Sequence, residues 1–254
     1  MTDGDDPVPQ NAADATGPAD PAAAPPDGTA GRHAPPGLVL TTPGGSRFHF
    51  DPGALCLELL TTGGPGPYAR YEVLHRPADL AAWLPPSRLR LPADAVRISP
   101  AELTATRTLR DALWHLAAAR AHGRPGEPED YTVLNRAAEH PPLVPRIAPD
   151  GTAAAPPPAD GAQLASTLAR DAIALLTGPY ADRIRECGAH DCRLIFVDTS
   201  RPGRRRWCSM ERCGNRHKVR SLRARRETEE TPPAAALPAD SGRAPADPPS
   251  ESMG

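Results

Sequence analysis

Residues 187–218 read CGAHDCRLIFVDTSRPGRRRWCSMERCGNRHK, and the architecture of the chain turns on this stretch. Cys187 and Cys192 are separated by four residues, 15 residues follow, and Cys208 and Cys213 repeat the same spacing. Two short loops that each bring two sulfurs can close a tetrahedral shell of thiolates around one Zn²⁺, with Zn–S near 2.3 Å. Arg193-Leu194-Ile195-Phe196-Val197-Asp198 reads as a strand and Thr199-Ser200-Arg201-Pro202-Gly203 as a turn, giving a ribbon that folds the second pair onto the first. His190 and His217 are alternative ligands, although each Cys already has a partner at matched spacing. Two disulfides would need an oxidising compartment, and a redox-switched zinc site is a further alternative at this stage. A catalytic zinc needs an open position, and no Glu stands nearby in an HxE or HExxH frame. The expectation is one structural zinc and no enzyme.

The charge is concentrated in the same place. The whole chain sums to -2, yet residues 183–226 hold 14 Arg/Lys against 4 Asp/Glu, a local +10 inside a remainder of -12. Lys occurs once against 28 Arg, which reads as the coding bias of a GC-rich genome, so arginine counts need discounting. Even so, one zinc site requires far fewer cations than this. Arg204, Arg205 and Arg206 stand beside Trp207, and Arg216, Lys218, Arg220 and Arg223 follow the last cysteine on an expected helix. There Arg216, Arg220 and Arg223 form an i, i+4, i+7 stripe, flanked by Lys218, Arg225 and Arg226. Guanidinium forks match phosphate oxygens, so the expected partner is nucleic acid, with double-stranded DNA first. Trp207 is read as the cap of a small zinc core in preference to a base-stacking platform.

Outside this block, 34 Pro and 10 aromatic residues in 254 say that much of the chain is not core. Residues 1–36 carry eight Pro and six Asp, and 227–254 carry six Pro; both are expected to be disordered acidic arms. No apolar run approaches roughly 20 residues, and the acidic start MTDGDDPVPQ is unlike a signal peptide, so a cytoplasmic, non-membrane protein is expected. Ser99, Pro100 and Glu102 form a capping signal for a helix from Pro100 to about Ala121, with Leu103, Thr106, Leu109/Arg110, Leu113 and Leu116/Ala117 on one face. Further helices are expected over Pro77–Leu84, Tyr131–Glu139 and Gln163–Leu176. Arg47–Phe50 is strand-like before the turn Asp51-Pro52-Gly53, the apolar segment from Leu55 to Leu60 fits helix or strand, and Cys56 is a buried small hydrophobe.

The string Arg206-Trp207-Cys208-Ser209-Met210, Cys213-Gly214-Asn215-Arg216 and Lys218, with the preceding cysteine pair, resembles the signature of the bacterial CGNR zinc-finger family over about residues 180–226. Leu55–Leu59, the Asp79-Leu80-x-x-Trp83-Leu84 helix, Leu109–Leu113 and Leu134-Asn135 resemble the ABATE domain that accompanies this finger. The family's aromatic and Asn-Thr positions after the first apolar segment are here Leu59, Leu60, Thr61 and Thr62. The resemblance implies a stress-induced transcription regulator whose finger binds DNA or RNA. It assigns Cys187, Cys192, Cys208 and Cys213 as zinc ligands, Gly214 to a tight turn, Asn215 to capping the next helix, and Arg216 and Lys218 to the start of an anion-facing helix. A small-molecule effector of the N-terminal domain is compatible with this, although no residue cluster identifies one, and a zinc-ordered module for protein partners is the alternative from another class.

The expected fold class is mostly α (α+β): a helical N-terminal domain with a short strand pair, then a small zinc-ribbon-like finger followed by a helix. The expected order is an arm over 1–36, an ABATE-like domain over 37–147, a linker or loop over 148–160, a helix leading into the finger over 161–182, the finger over 183–226 and a tail over 227–254.

Overall fold

Helices start where side chains satisfy the first backbone N–H groups, and two such caps set the long helices here. The computed structural model describes residues 36–42, 44–154 and 159–230. Helices α1 (Leu55–Leu59) and α2 (Pro77–Trp83) precede α3 (Pro100–Ala121) and α4 (Pro128–Ala138). At the start of α3, Ser99 Oγ accepts from the Glu102 backbone at 3.2 Å, and Glu102 Oε2 accepts from the Ser99 backbone at 2.7 Å. Helix α5 (Gly161–Thr177) opens with the same reciprocal arrangement between Asp160 and Gln163. Glu102 Oε1 also accepts from Ala162 N at 3.2 Å, so one carboxylate ties the two helix starts together.

The expected face of α3 is the buried one, from Leu103 through Thr106, Leu109 and Leu113 to Leu116 and Ala117. It packs with Leu57, Leu59, Leu80, Leu84, Leu164 and Leu168 in an aliphatic core. Arg110, 1 % exposed, lies within that core and is tolerated because it is paired. Its guanidinium forks the Glu72 carboxylate at 2.8 and 2.7 Å and also reaches Asp111. Burial alone would raise Glu72, but the Arg110 fork holds its carboxyl below the ordinary value.

Three short antiparallel ladders complete the described residues. β1 (Leu38–Thr41) pairs with β2 (Arg47–Phe50), with Leu38 opposite Phe50. β3 (Arg146–Ile147), at the end of the segment expected to be the ABATE-like domain, pairs with β4 (Ala153–Ala154), which lies in the segment 148–160 expected to be linker or loop. β5 (Ile184–Glu186) pairs with β6 (Ile195–Val197), Ile184 opposite Val197. Because strand side chains alternate, Ile195 and Val197 enter the aliphatic core while Phe196 points the other way, into a second cluster around the four cysteines. One three-residue strand thus serves two cores.

The expected short strand pair exists, but it does not complete the helical domain. Phe48 and Phe50 share one face of β2, and that face covers Cys187, Cys192, Cys208 and Cys213. The chain then turns through Gly53, whose φ is +87° and whose position leaves only 3.1 Å between an added Cβ and Val197 Cβ. Pro52 O accepts from Val197 N at 2.8 Å, fastening that turn to β6. The described residues from Pro36 onward cluster as one unit. Helix α6 (Asn215–Glu230) runs four residues past the 226 expected to end the finger. Residues 1–35 of the arm expected over 1–36, residue 43, loop residues 155–158, and residues 231–254 of the tail expected over 227–254 lie outside the described residues.

A four-cysteine metal centre

The Cys187 and Cys192 sulfurs come from the loop between β5 and β6, the Cys208 and Cys213 sulfurs from the loop after β6 and the π turn Met210–Gly214 that leads into α6. All four cysteines are buried, and their sulfurs lie within 4.8 Å of one another. Cys192 Sγ is 3.7 Å from Cys208 Sγ, which is 3.5 Å from Cys213 Sγ. These separations exclude bonded sulfurs and suit a metal shell, since four sulfurs about 2.3 Å from a central ion stand about 3.8 Å apart along a tetrahedral edge. Cys56, the fifth cysteine, is buried away from them beside Asp171. His190 and His217 are not in the group: His190 bonds Arg220, and His217 stacks on Trp207 with centroids 4.7 Å apart.

The donor chemistry fits the same ion. As a bare thiol Cys187 is held far below its ordinary value, because its neighbours Cys192 and Cys208 donate to it, and Cys208 is correspondingly pushed up. A divalent soft cation replaces those shared protons and lets all four sulfurs act as thiolates, leaving a formal -2 to be offset. Offsetting groups are present. The Cys208 backbone N–H donates to Cys187 Sγ at 3.4 Å, Arg212 approaches Cys192 Sγ at 3.9 Å, and Arg216 reaches Cys213 Sγ at 3.5 Å.

Several arginines singled out as anion-facing are therefore engaged with the protein. Arg205 lies over the Phe196 ring at 4.1 Å and donates to the carbonyls of Cys208 at 2.6 Å and Asp51 at 3.2 Å, clamping the second knuckle to the turn after β2. Arg216 forks Asp191 at 2.8 and 3.0 Å, and although burial opposes it, this pairing keeps the Asp191 carboxyl below its ordinary value. Arg220 bonds His190 Nδ1 at 2.8 Å. The i, i+4 pair at the head of the expected stripe is thus partnered at the surface by the finger, for reasons that lie in loop 188–191 and not in the helix sequence. Exposed cations instead come from Arg204 and Arg206 before Cys208 and from Lys218, Arg223, Arg225 and Arg226 on α6.

Three further assignments are modified or placed. Gly214 does not adopt a positive φ; an added Cβ would come within 2.6 Å of Met210 Sδ and 3.4 Å of the Trp207 ring, so glycine is there for close packing. Asn215 begins α6, but its side-chain amide donates to Glu211 O at 3.5 Å and does not accept from the following N–H groups. Trp207 packs against the cysteine cluster, with Arg206 over its ring at 5.2 Å. Phe48 and Phe50 belong to the centre although nothing local to residues 183–226 announces them. Their only sequence signal is alternation, in a chain with three Phe in all.

A tetrathiolate shell carried on a ribbon and followed by a basic helix defines a zinc finger joined to a helical domain. Residues 53–179 match the ABATE family model, described as "Putative stress-induced transcription regulator", and residues 183–226 match the CGNR zinc finger. The chain belongs to the ABATE family and carries the CGNR finger at its C-terminal side, with four cysteines placed to hold one zinc ion. No curated protein matches it. Hairpin β1–β2 lies outside both matched segments, yet contributes two of the three aromatic rings fully inside the cysteine cluster.

Proposed function

We propose that the protein is a transcription regulator that binds nucleic acid, double-stranded DNA in the first place, through its zinc-ordered finger. The observation that carries this reading is the exposed set Arg204, Arg206, Lys218, Arg223, Arg225 and Arg226, for which the described side chains supply no acidic partner. Cations engaged in holding the zinc knuckle, such as Arg205 and Arg216, are already accounted for by their partners; these six are not. A set of exposed guanidinium and ammonium groups on a metal-fixed scaffold suits phosphate oxygens. The family description points to regulation in the same sense. Zinc acts here as a structural ion, because four thiolates fill its tetrahedral shell and leave no position for substrate, and no catalytic role is assigned to the chain. Among the described residues no helix is long and apolar enough to cross a membrane; action in the cytoplasm, on the nucleoid, accords with the DNA reading.

The test is a mobility-shift comparison of the full zinc-loaded chain on duplex DNA, single-stranded DNA and RNA across salt. Six phosphate contacts predict a loss of about three orders of magnitude in duplex affinity between about 50 and 200 mM salt. Removal of zinc should abolish the shift. Absence of binding to every nucleic acid at 50 mM salt overturns the reading in favour of a protein partner, and preference for RNA over duplex DNA overturns its DNA part.

A further inference from the structure

A surface helix ordinarily turns its apolar stripe to the core and its charges to water. Helix α6 is inverted. Arg216, His217, Arg220 and Ser221 form one contiguous patch at helical spacing, and this patch is held against the finger. Arg216 meets Asp191, Arg220 meets His190, His217 lies on Trp207, and Ser221 is partly buried. The opposite face comprises Asn215, Lys218, Val219, Leu222 and Arg226, at the i, i+3, i+4, i+7, i+11 positions. At its centre Val219 is 48 % exposed and Leu222 51 % exposed, with the cations Lys218, Arg223, Arg225 and Arg226 around them. Two aliphatic side chains one turn apart are thus presented to solvent in the middle of a basic frame.

The frame restricts what can cover them. A second copy of the same face would bring like charges together across the pair. A partner that is anionic at its rims and displays apolar groups among polar ones on its floor suits the arrangement, and the major groove of B-DNA at thymine-bearing pairs is such a surface. It is about 12 Å wide, admits an α-helix, is bordered by phosphates and displays the thymine C5-methyl. Duplex RNA has a deep, narrow major groove that excludes a helix. Building on the nucleic-acid reading above, we infer that α6 lies in the major groove of duplex DNA, with Val219 and Leu222 against thymine methyl groups and the flanking cations on phosphates. Val219 and Leu222 then set sequence preference, whereas the cations set affinity and its salt dependence.

The experiment uses the full zinc-loaded chain and two 20-base-pair duplexes, one of alternating adenine and thymine, the other with deoxyuridine in place of every thymine. Loss of one buried methyl should weaken binding about fourfold, and loss of two about fifteenfold. Val219→Ser combined with Leu222→Ser should bind both duplexes equally, with the salt slope of the unmodified chain; both positions are exposed, so the fold is retained. The inference is overturned if the unmodified chain binds both duplexes equally, or if the double variant keeps a thymine preference. It is equally overturned if the double substitution converts a dimer to a monomer, which would make this face a self-interface. In each of these outcomes duplex binding itself survives, whereas failure of the unmodified chain to bind any duplex at 50 mM salt removes the underlying reading as well.

Discussion

The aliphatic core and the cysteine core of this chain share strand β6 but almost nothing of their chemistry. Leu57, Leu59, Leu80, Leu109, Leu113, Leu164 and Leu168 fill the first, on α1, α2, α3 and α5; Phe48, Phe50 and Phe196, every phenylalanine in the chain, gather in the second around four sulfurs. Each fully buried aliphatic side chain contributes about 1.5–3 kcal/mol, so the first core grows stable by accumulation. The second is too small for that and depends on its metal, whose binding contributes on the order of 10–16 kcal/mol to structural zinc sites. Rings are the economical covering for a site with few residues, since three of them exclude water from four thiolates. The two cores thus stand or fall by different perturbations, and β6 is where one can be felt in the other.

The largest expected effect is that of Cys208→Ser or of zinc chelation. Either should disorder the finger and release hairpin β1–β2 from it, while α3 and α5 keep their helical signal at a lower unfolding temperature, because one face of β6 loses its cover. Near-ultraviolet dichroism reports the aromatic cluster and far-ultraviolet dichroism the helices; simultaneous loss of both signals at one midpoint would mean a single core in two parts. A sharper division comes from adjacent residues on β6. Phe196→Ala should cost about 3–5 kcal/mol and weaken zinc, whereas Ile195→Ala should cost about 2–5 kcal/mol with zinc affinity nearly unchanged. Zinc-competition titration alongside denaturant unfolding tests this pair, and equal zinc loss in both variants would break the division.

A carboxyl in the aliphatic core supplies the next test. Burial pushes Glu58 up to about 7, with its bonds to Arg88 opposing the shift. A raised carboxyl binds its proton more tightly in the folded chain, so the stability it contributes is present below its ordinary value of 4.5 and is lost as pH rises toward 7. The loss amounts to about 3 kcal/mol. Denaturant midpoints followed between pH 5 and 8 should decline in the unmodified chain, and Glu58→Gln should flatten that slope; an unchanged slope removes Glu58 as its source. Smallest of all, Ser99→Ala removes one cap of α3 and should cost about 1 kcal/mol while leaving zinc affinity untouched.

The features legible in the sequence were those encoded by neighbours along the chain. Ser99 and Glu102 are three residues apart, the α3 face repeats every turn, and the paired cysteines carry their own spacing. The helix between Leu55 and Leu59 was ambiguous because five apolar-rich residues fit either period, and its packing settles it. What eluded the sequence depends on partners far along the chain. Phe50 meets the cysteines across more than a hundred residues, and Arg205 is distinguished from Arg204 and Arg206 by the Asp51 carbonyl it finds. Arg216, Arg220, Arg223, Arg225 and Arg226 look alike along the α6 string; the loop carrying His190 and Asp191 separates the first two, which brace the finger, from the other three.

The attachment of α6 has a mechanical consequence. The fastenings described above lie at its first two turns, through the π turn, Asp191, His190 and Trp207, while Leu222, Arg223, Arg225 and Arg226 farther along are exposed. A helix of 16 residues is about 24 Å long, so it works as a cantilever. A tilt of about 10° at Gly214 swings the far end by about 4 Å, close to the rise of one base-pair step. The packing of one glycine against Met210 and Trp207 therefore sets the aim of the whole helix, and small changes beside the last zinc ligand are amplified at its tip.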